Sequence, residues 1–122
     1  MKIKTGELTG VTLDWAVAKT EGMHVDIARG GWVVFDSDAF AEFRNDYNDD
    51  KVQSFRPSTN WEQGGPIIER EGISIYPDES EDLPDIKWSA DSQDAFRWGG
   101  PTPLIAAMRC YVASHFGDEV DV

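Results

Sequence analysis

The chain opens on an alternation. Lys2-Ile3-Lys4-Thr5 sets polar against apolar side chains with a period of two, which predicts a short half-buried strand at the start of a sheet. Leu8, Val11, Trp15 and Ala18 then recur every three or four residues, with Thr9 placed as an N-cap and Gly22 as a stop, so a helix is expected from about Gly10 to Glu21. Met23, Val25 and Ile27 alternate with His24, Asp26 and Ala28, and Gly30-Gly31 separates them from Trp32-Val33-Val34-Phe35, the pattern of a hairpin. Ser37 can cap a short helix carrying Phe40 and Phe43 on one face. Asn45 to Asp50 is acidic without any apolar period and reads as an exposed loop.

Pro57 to Gly65 gathers capping and turn residues around a lone Trp61, which predicts a tight irregular segment. Pro66 as first helical residue and Gly72 just past the end bracket a two-turn helix, although Ile67 and Ile68 fit a strand as well. Ile73-Ser74-Ile75-Tyr76 and Ile86-Lys87-Trp88 alternate as strands, joined by an acidic loop from Pro77 to Asp85. A further loop runs through Gly99-Gly100. Beyond it Thr102 is the N-cap and Pro103 the first residue of a helix whose stripe is Ile105, Met108, Val112 and Phe116, ended by Gly117. The tail Asp118 to Val122 is too short and acidic to fold alone. Helices and hairpin-like strands without strict βαβ alternation imply an α+β class: a small antiparallel or mixed sheet packed against an N-terminal and a C-terminal helix, in one domain over residues 1–122.

Composition narrows the function classes. With 122 residues, 40% of them hydrophobic, and five Trp, six Phe and three Tyr, a core can form without a disulfide or a structural metal. Cys110 is the only cysteine, which leaves no intrachain disulfide and no cysteine-based zinc site. No run of about 18 apolar residues occurs, so a soluble cytoplasmic protein without membrane contact is expected. Twenty-three acids against 11 bases give a net charge of −12, which opposes a phosphate backbone and argues against direct nucleic-acid binding.

Three blocks carry a family resemblance: Met1-Lys2-Ile3-Lys4-Thr5 with Leu8-Thr9-Gly10 and Leu13-Asp14-Trp15-Ala16-Val17-Ala18; Pro57-Ser58-Thr59-Asn60-Trp61-Glu62-Gln63-Gly64-Gly65-Pro66-Ile67-Ile68-Glu69; and Gly100-Pro101-Thr102-Pro103-Leu104-Ile105-Ala106-Ala107-Met108-Arg109. They lie in order at both ends and in the middle of the chain, which resembles the NinX-like proteins of tailed bacteriophages and prophages. The resemblance implies a phage or prophage accessory protein acting in a bacterial host cell. That family brings no known biochemical function, so no catalytic residue is carried over. Met23 to Ser54 has no counterpart in the resemblance.

Among residues that can carry chemistry, Asn60-Trp61-Glu62-Gln63-Gly64-Gly65 stands first. An indole face can stack on a planar ring, Asn60 and Gln63 can hydrogen-bond its edge, and Gly64 and Gly65 allow close backbone approach. The alternative is that Trp61 anchors the loop in the core while Asn60 caps it and the glycines turn the chain; both readings stand on sequence alone. The glycine pair is no phosphate loop, because no Lys-Ser or Lys-Thr follows it. Arg56 and Arg109, with Arg70 and Arg97, could clamp an anion or simply pair with one of the many acids. Asp14 could reach the motif from the first helix or lie solvated. His24 and His115 lack metal-binding spacing, His115 instead suiting the end of a helix dipole, and Cys110 lies beside an apolar stripe where a thiol is inert.

These readings give a non-catalytic protein, with no cofactor, that binds a small nucleotide-like or heterocyclic ligand through Asn60, Trp61, Gln63, Gly64, Gly65, Asp14, Arg56 and Arg109. Sequestration of a host defence signal would be one use of such a site. The alternative is an acidic inhibitor of a host nucleic-acid enzyme, presenting Asp46 to Asp50 and Asp78 to Asp85 where phosphates would lie. The partner is then a host protein instead of a small molecule. A homo-oligomer is compatible with either.

Overall fold

The computed structural model describes residues 2–22, 25–27, 33–35, 55–79 and 83–121. Strand β1 (Lys2–Lys4) passes into a 3-10 turn (Thr5–Glu7) and helix α1 (Gly10–Thr20); β2 (Val25–Ile27) and β3 (Val33–Phe35) follow. Then come α2 (Trp61–Glu71), β4 (Ser74–Pro77), β5 (Trp88–Asp91), β6 (Trp98–Gly100), α3 (Pro103–Phe116) and β7 (Glu119–Asp121). All strand pairs among these residues are antiparallel: β4-β5-β6 form a three-stranded sheet, while β1 pairs with β7 and β2 with β3. The α+β expectation holds, with helices packed on small antiparallel sheets.

Helix α3 lies at the centre, packed on β5 and β6, on α1, and on the 3-10 turn and α2. Thr102 Oγ1 accepts the Ile105 N–H at 3.1 Å and Pro103 needs no donor at the helix start, which fixes where the helix begins. Leu104 and every residue from Ala106 to Ala113 are buried, so the expected apolar stripe is in fact nearly the whole circumference. Phe116 departs from the stripe. It is 40% exposed, and the Lys19 ammonium lies 5.8 Å from its ring. Leu8, Leu13, Ala16 and Val17 from the 3-10/α1 region, Ile67 and Ile73 around α2, and Val120 of β7 complete the core.

The first helix and the hairpin lie where the pattern put them, with Val25 opposite Phe35. The helix placed after Ser37 and the acidic loop at Asn45 to Asp50 fall outside the described residues. Three segments differ from expectation. Helix α2 starts at Trp61, not at Pro66, because the Asn60 side chain caps it by accepting the Glu62 N–H at 2.9 Å, and the helix then carries Pro66 in its interior. Gly72, at φ 64°, closes it with the Ile73 N–H donating to Ile68 O at 3.1 Å. The strand expected at Ile86 to Trp88 runs instead from Trp88 to Asp91, set by its register against β4, where Pro77 faces Trp88. Gly99-Gly100 is not loop but the end of β6, with Gly100 opposite Trp88.

The acidic tail does not fold alone; it folds against the other end of the chain. Lys2, Ile3 and Lys4 face Asp121, Val120 and Glu119, and Val120 is 1% exposed. Thr5 secures the junction, its N–H donating to Asp118 O and its hydroxyl to Gly117 O, each at 2.7 Å.

Two tests address this packing. Val112 is fully buried in α3, so Val112→Asp places an unpaired charge in the core and should remove several kcal/mol, a large share of a typical stability of about 5–15 kcal/mol. The cooperative thermal transition should be lost, and an unchanged Tm would refute this position for the helix. The second test separates two adjacent glycines. A Cβ on Gly64 would lie 2.5 Å from Pro57 O and 2.7 Å from Leu104 Cδ2, whereas one on Gly65 meets nothing within 4 Å. Gly64→Ala should therefore destabilise by about 1–3 kcal/mol, while Gly65→Ala should be neutral or stabilise by up to about 1 kcal/mol through helix propensity, as read by denaturant unfolding.

Candidate functional site

The segment before α2 is a compact turn. The Thr59 and Asn60 N–H groups both donate to Arg56 O, at 3.1 and 2.9 Å, and Phe55, Pro57 and Ser58 are buried beneath it. Polar side chains of the motif hold this turn together. Gln63, 6% exposed, accepts the Arg56 N–H through Oε1, and Asn60 is occupied as the helix cap. Gly64 is a glycine because the helix backbone presses on Pro57 O. Asp14 reaches across from α1 and accepts the Ser58 N–H at 2.9 Å, tying the first helix to the turn.

Trp61 is the exception. It begins α2 and is 56% exposed, so it is not the core anchor that one sequence reading required. Its indole borders a cleft of about 230 Å³ together with Ser58, Thr59 and the opening of α3 at Thr102, Pro103, Leu104 and Ile105. The first turns of two helices thus line one cleft. Each brings the positive end of its helix dipole, which favours an anion, while the caps Asn60 and Thr102 already take the Glu62 and Ile105 N–H groups and Pro103 has none. The apolar walls of Leu104, Ile105 and the indole suit a ring.

The residues singled out from sequence are therefore divided by the fold. Asn60, Gln63, Gly64 and Asp14 build and hold the turn, and Gly65 lies in open space on the same helix. Arg56 is exposed, and its charge acts on the Asp14 carboxylate. Arg109 is elsewhere: 8% exposed on α3, it donates from Nε to Leu8 O at 2.8 Å and from Nη1 to Gly99 O at 2.9 Å, and it does not line the Trp61 cleft. Desolvation lowers the pKa of its guanidinium. Sequence reasoning missed Thr59, Thr102, Leu104 and Ile105 as cleft residues. The signal was present in the two caps, Asn60 and Thr102, which mark two helix starts that happen to meet.

Side chains with nucleophilic or metal-binding chemistry are not gathered here. Cys110 is buried with its Sγ 3.7 Å from Ala95 O, and burial pushes the thiol pKa up. His115 packs edge-on against Tyr111 with ring centroids 5.3 Å apart. Among the described residues no three His, Cys, Asp or Glu side chains group as metal ligands, and no helix is long and apolar enough to cross a membrane.

Asp14 makes the turn sensitive to pH. Burial raises its pKa from 3.8 to about 6, while the bonds from Ser58 and the charge of Arg56 pull the other way without cancelling it. A carboxyl that holds its proton more tightly when folded loses its contribution as pH rises, here between about 4 and about 6, at up to about 1.4 kcal/mol per pH unit. Asp14→Asn keeps an acceptor for the Ser58 N–H and removes the ionisation. The variant should match the parent in stability near pH 4 and gain on it through that window, levelling off above about pH 6. A stability difference that does not change with pH, in parallel denaturant titrations, would contradict a buried ionisable Asp14.

Comparison with curated proteins finds no match. Comparison with protein families matches residues 4–115 to the family described as Bacteriophage P22, NinX, and with nearly the whole chain inside that match the protein belongs to the NinX family of phage proteins.

Proposed function

We propose that this phage protein binds, without transforming it, a small planar ligand that carries an anionic group, of the nucleotide class, with its ring stacked on Trp61. The observation that carries the reading is the exposure of Trp61 on a turn that the side chains of Asn60, Gln63 and Asp14 hold in place. Asn60, Gln63 and Asp14 hold the turn rigid, and a large indole is left facing a cleft instead of the core. The dipoles of α2 and α3 supply local attraction for the anionic part against the repulsion of a chain at −12. At about 230 Å³ the cleft takes one ring or one phosphate, and the rest of a larger ligand would lie along the exposed rim. Sequestration of a host signalling nucleotide fits a binding protein of this kind encoded by a phage.

The reading as an acidic mimic of nucleic acid draws less support. Asp78, one of the acids it needs on the surface, turns its carboxylate inward to accept the Ser89 hydroxyl at 2.6 Å, with the Arg97 guanidinium 3.9 Å away. Asp46 to Asp50 lie outside the described residues.

Isothermal titration with adenosine monophosphate, and with adenosine as the uncharged comparison, tests the proposal. The nucleotide should bind saturably and more tightly than the nucleoside. Trp61→Ala should cost about 1–3 kcal/mol of affinity, the usual worth of a base stacked on an aromatic ring. Because the side chain is exposed, Tm should stay within a few degrees of the parent. Equal affinity in the parent and Trp61→Ala, or no saturable heat with either compound, would overturn the assignment.

A further inference from the structure

A second cleft, larger and of opposite chemistry, lies where the two ends of the chain meet. It measures about 560 Å³ and is lined by Lys4, Gly6, Glu7, Trp98, Asp118 and Glu119. Its walls are firmly set. Lys4 faces Glu119 in the β1–β7 ladder, and Thr5 bonds through both N–H and hydroxyl to the Gly117–Asp118 turn. The Gly6 backbone runs beside the indole, since a Cβ there would lie 3.7 Å from Trp98 Cζ3.

We propose that this cleft is a binding site for a small organic cation carrying a guanidinium or ammonium group. Trp98 is half-buried and packs partly on the core, so one portion of a rigid aromatic surface is held in place while another faces the cleft. An indole face attracts a cation through its quadrupole, and carboxylates around it supply charge-assisted hydrogen bonds. Among the described residues, the carboxylates of Glu7, Asp118 and Glu119 make no ion pair or hydrogen bond to the protein, leaving their acceptors available. Two cations oppose a ligand of this sign. Lys4 stands on the rim, and Arg109 sits behind the wall, bonded to Leu8 O and Gly99 O. Three carboxylates outweigh them, and the field of a chain at −12 raises the local concentration of cations further. The volume lies within the usual range of about 300–1,000 Å³ for small-molecule sites, which favours a free amine or guanidine over a macromolecular surface. This site is independent of the Trp61 cleft, and either assignment can fail without the other.

The indole N–H signals of the five tryptophans in the ¹⁵N-labelled full chain separate the two clefts, once each is assigned by single Trp→Phe substitution. Titration with agmatine should move the Trp98 signal saturably and leave Trp61 in place, while adenosine monophosphate should leave Trp98 in place. Agmatine binding should weaken about tenfold in the Glu7→Gln/Glu119→Gln double variant, whose exposed positions leave the fold intact, and should fall steeply with salt. N-acetylarginine methylamide, a peptide-borne guanidinium, should bind more weakly than agmatine. A Trp98 shift that stays linear to roughly 10 mM agmatine, or an affinity unchanged in the double variant, would overturn the site. Tighter binding of the peptide-borne group would overturn the assignment to a free small molecule.

Discussion

The burial of α3 on nearly every side is the constraint on which the other elements depend. Strands of three or four residues cannot hold together as isolated pairs, and every described sheet here is built from such strands. Helix α3 is the partner shared by β4, β5, β6 and β7, while β2 and β3 lie against α1. Small side chains at Ala106, Ala107, Cys110 and Ala113 keep α3 narrow, so that α1 can approach one side while β5 and β6 lie on another. Larger groups at Leu104, Met108, Tyr111 and Val112 fill the spaces that remain. Arg109 reaches from the same helix to Leu8 O and Gly99 O, joining the chain's opening turn to the sheet through a group that serves two carbonyls at once.

Both clefts follow from how α3 is flanked. At its start, α2 is drawn so close that Gly64 admits no side chain, and the two helices open side by side around Trp61. Near its end, Gly117 turns the chain back to pair with β1, and the cleft at Trp98 forms between that turn and the sheet. One cleft gathers helix starts, the other carboxylates. Their electrostatic preferences are accordingly opposite, although the chain as a whole is strongly acidic.

The turn that presents Trp61 shows how a buried charge can serve position instead of chemistry. Asp14 is disfavoured by its desolvation, yet it gives the buried Ser58 N–H an acceptor that an apolar side chain would deny it. Gln63 does the same for Arg56. With those groups committed, the turn has few conformations open to it, and a ligand would meet a surface already arranged.

Local pattern determined a good deal by itself. The cap at Thr102, the proline after it and Gly117 fixed the limits of α3, and alternation located β1, β4 and the hairpin strands, because capping and side-chain period depend only on neighbours in sequence. Pro66 misplaced the start of α2, since a proline inside a helix is tolerated only when a cap and a buried face outweigh its missing donor, and that balance is not a local property. Likewise Val120 became a strand residue only because Ile3 was there to face it, at the far end of the chain. The motif around Trp61 was legible as a cluster of versatile groups. Which of them hold the turn and which faces a cleft was decided by contacts from Asp14 and Leu104, residues distant in sequence, because burial and hydrogen-bond partners are set by packing and not by residue type.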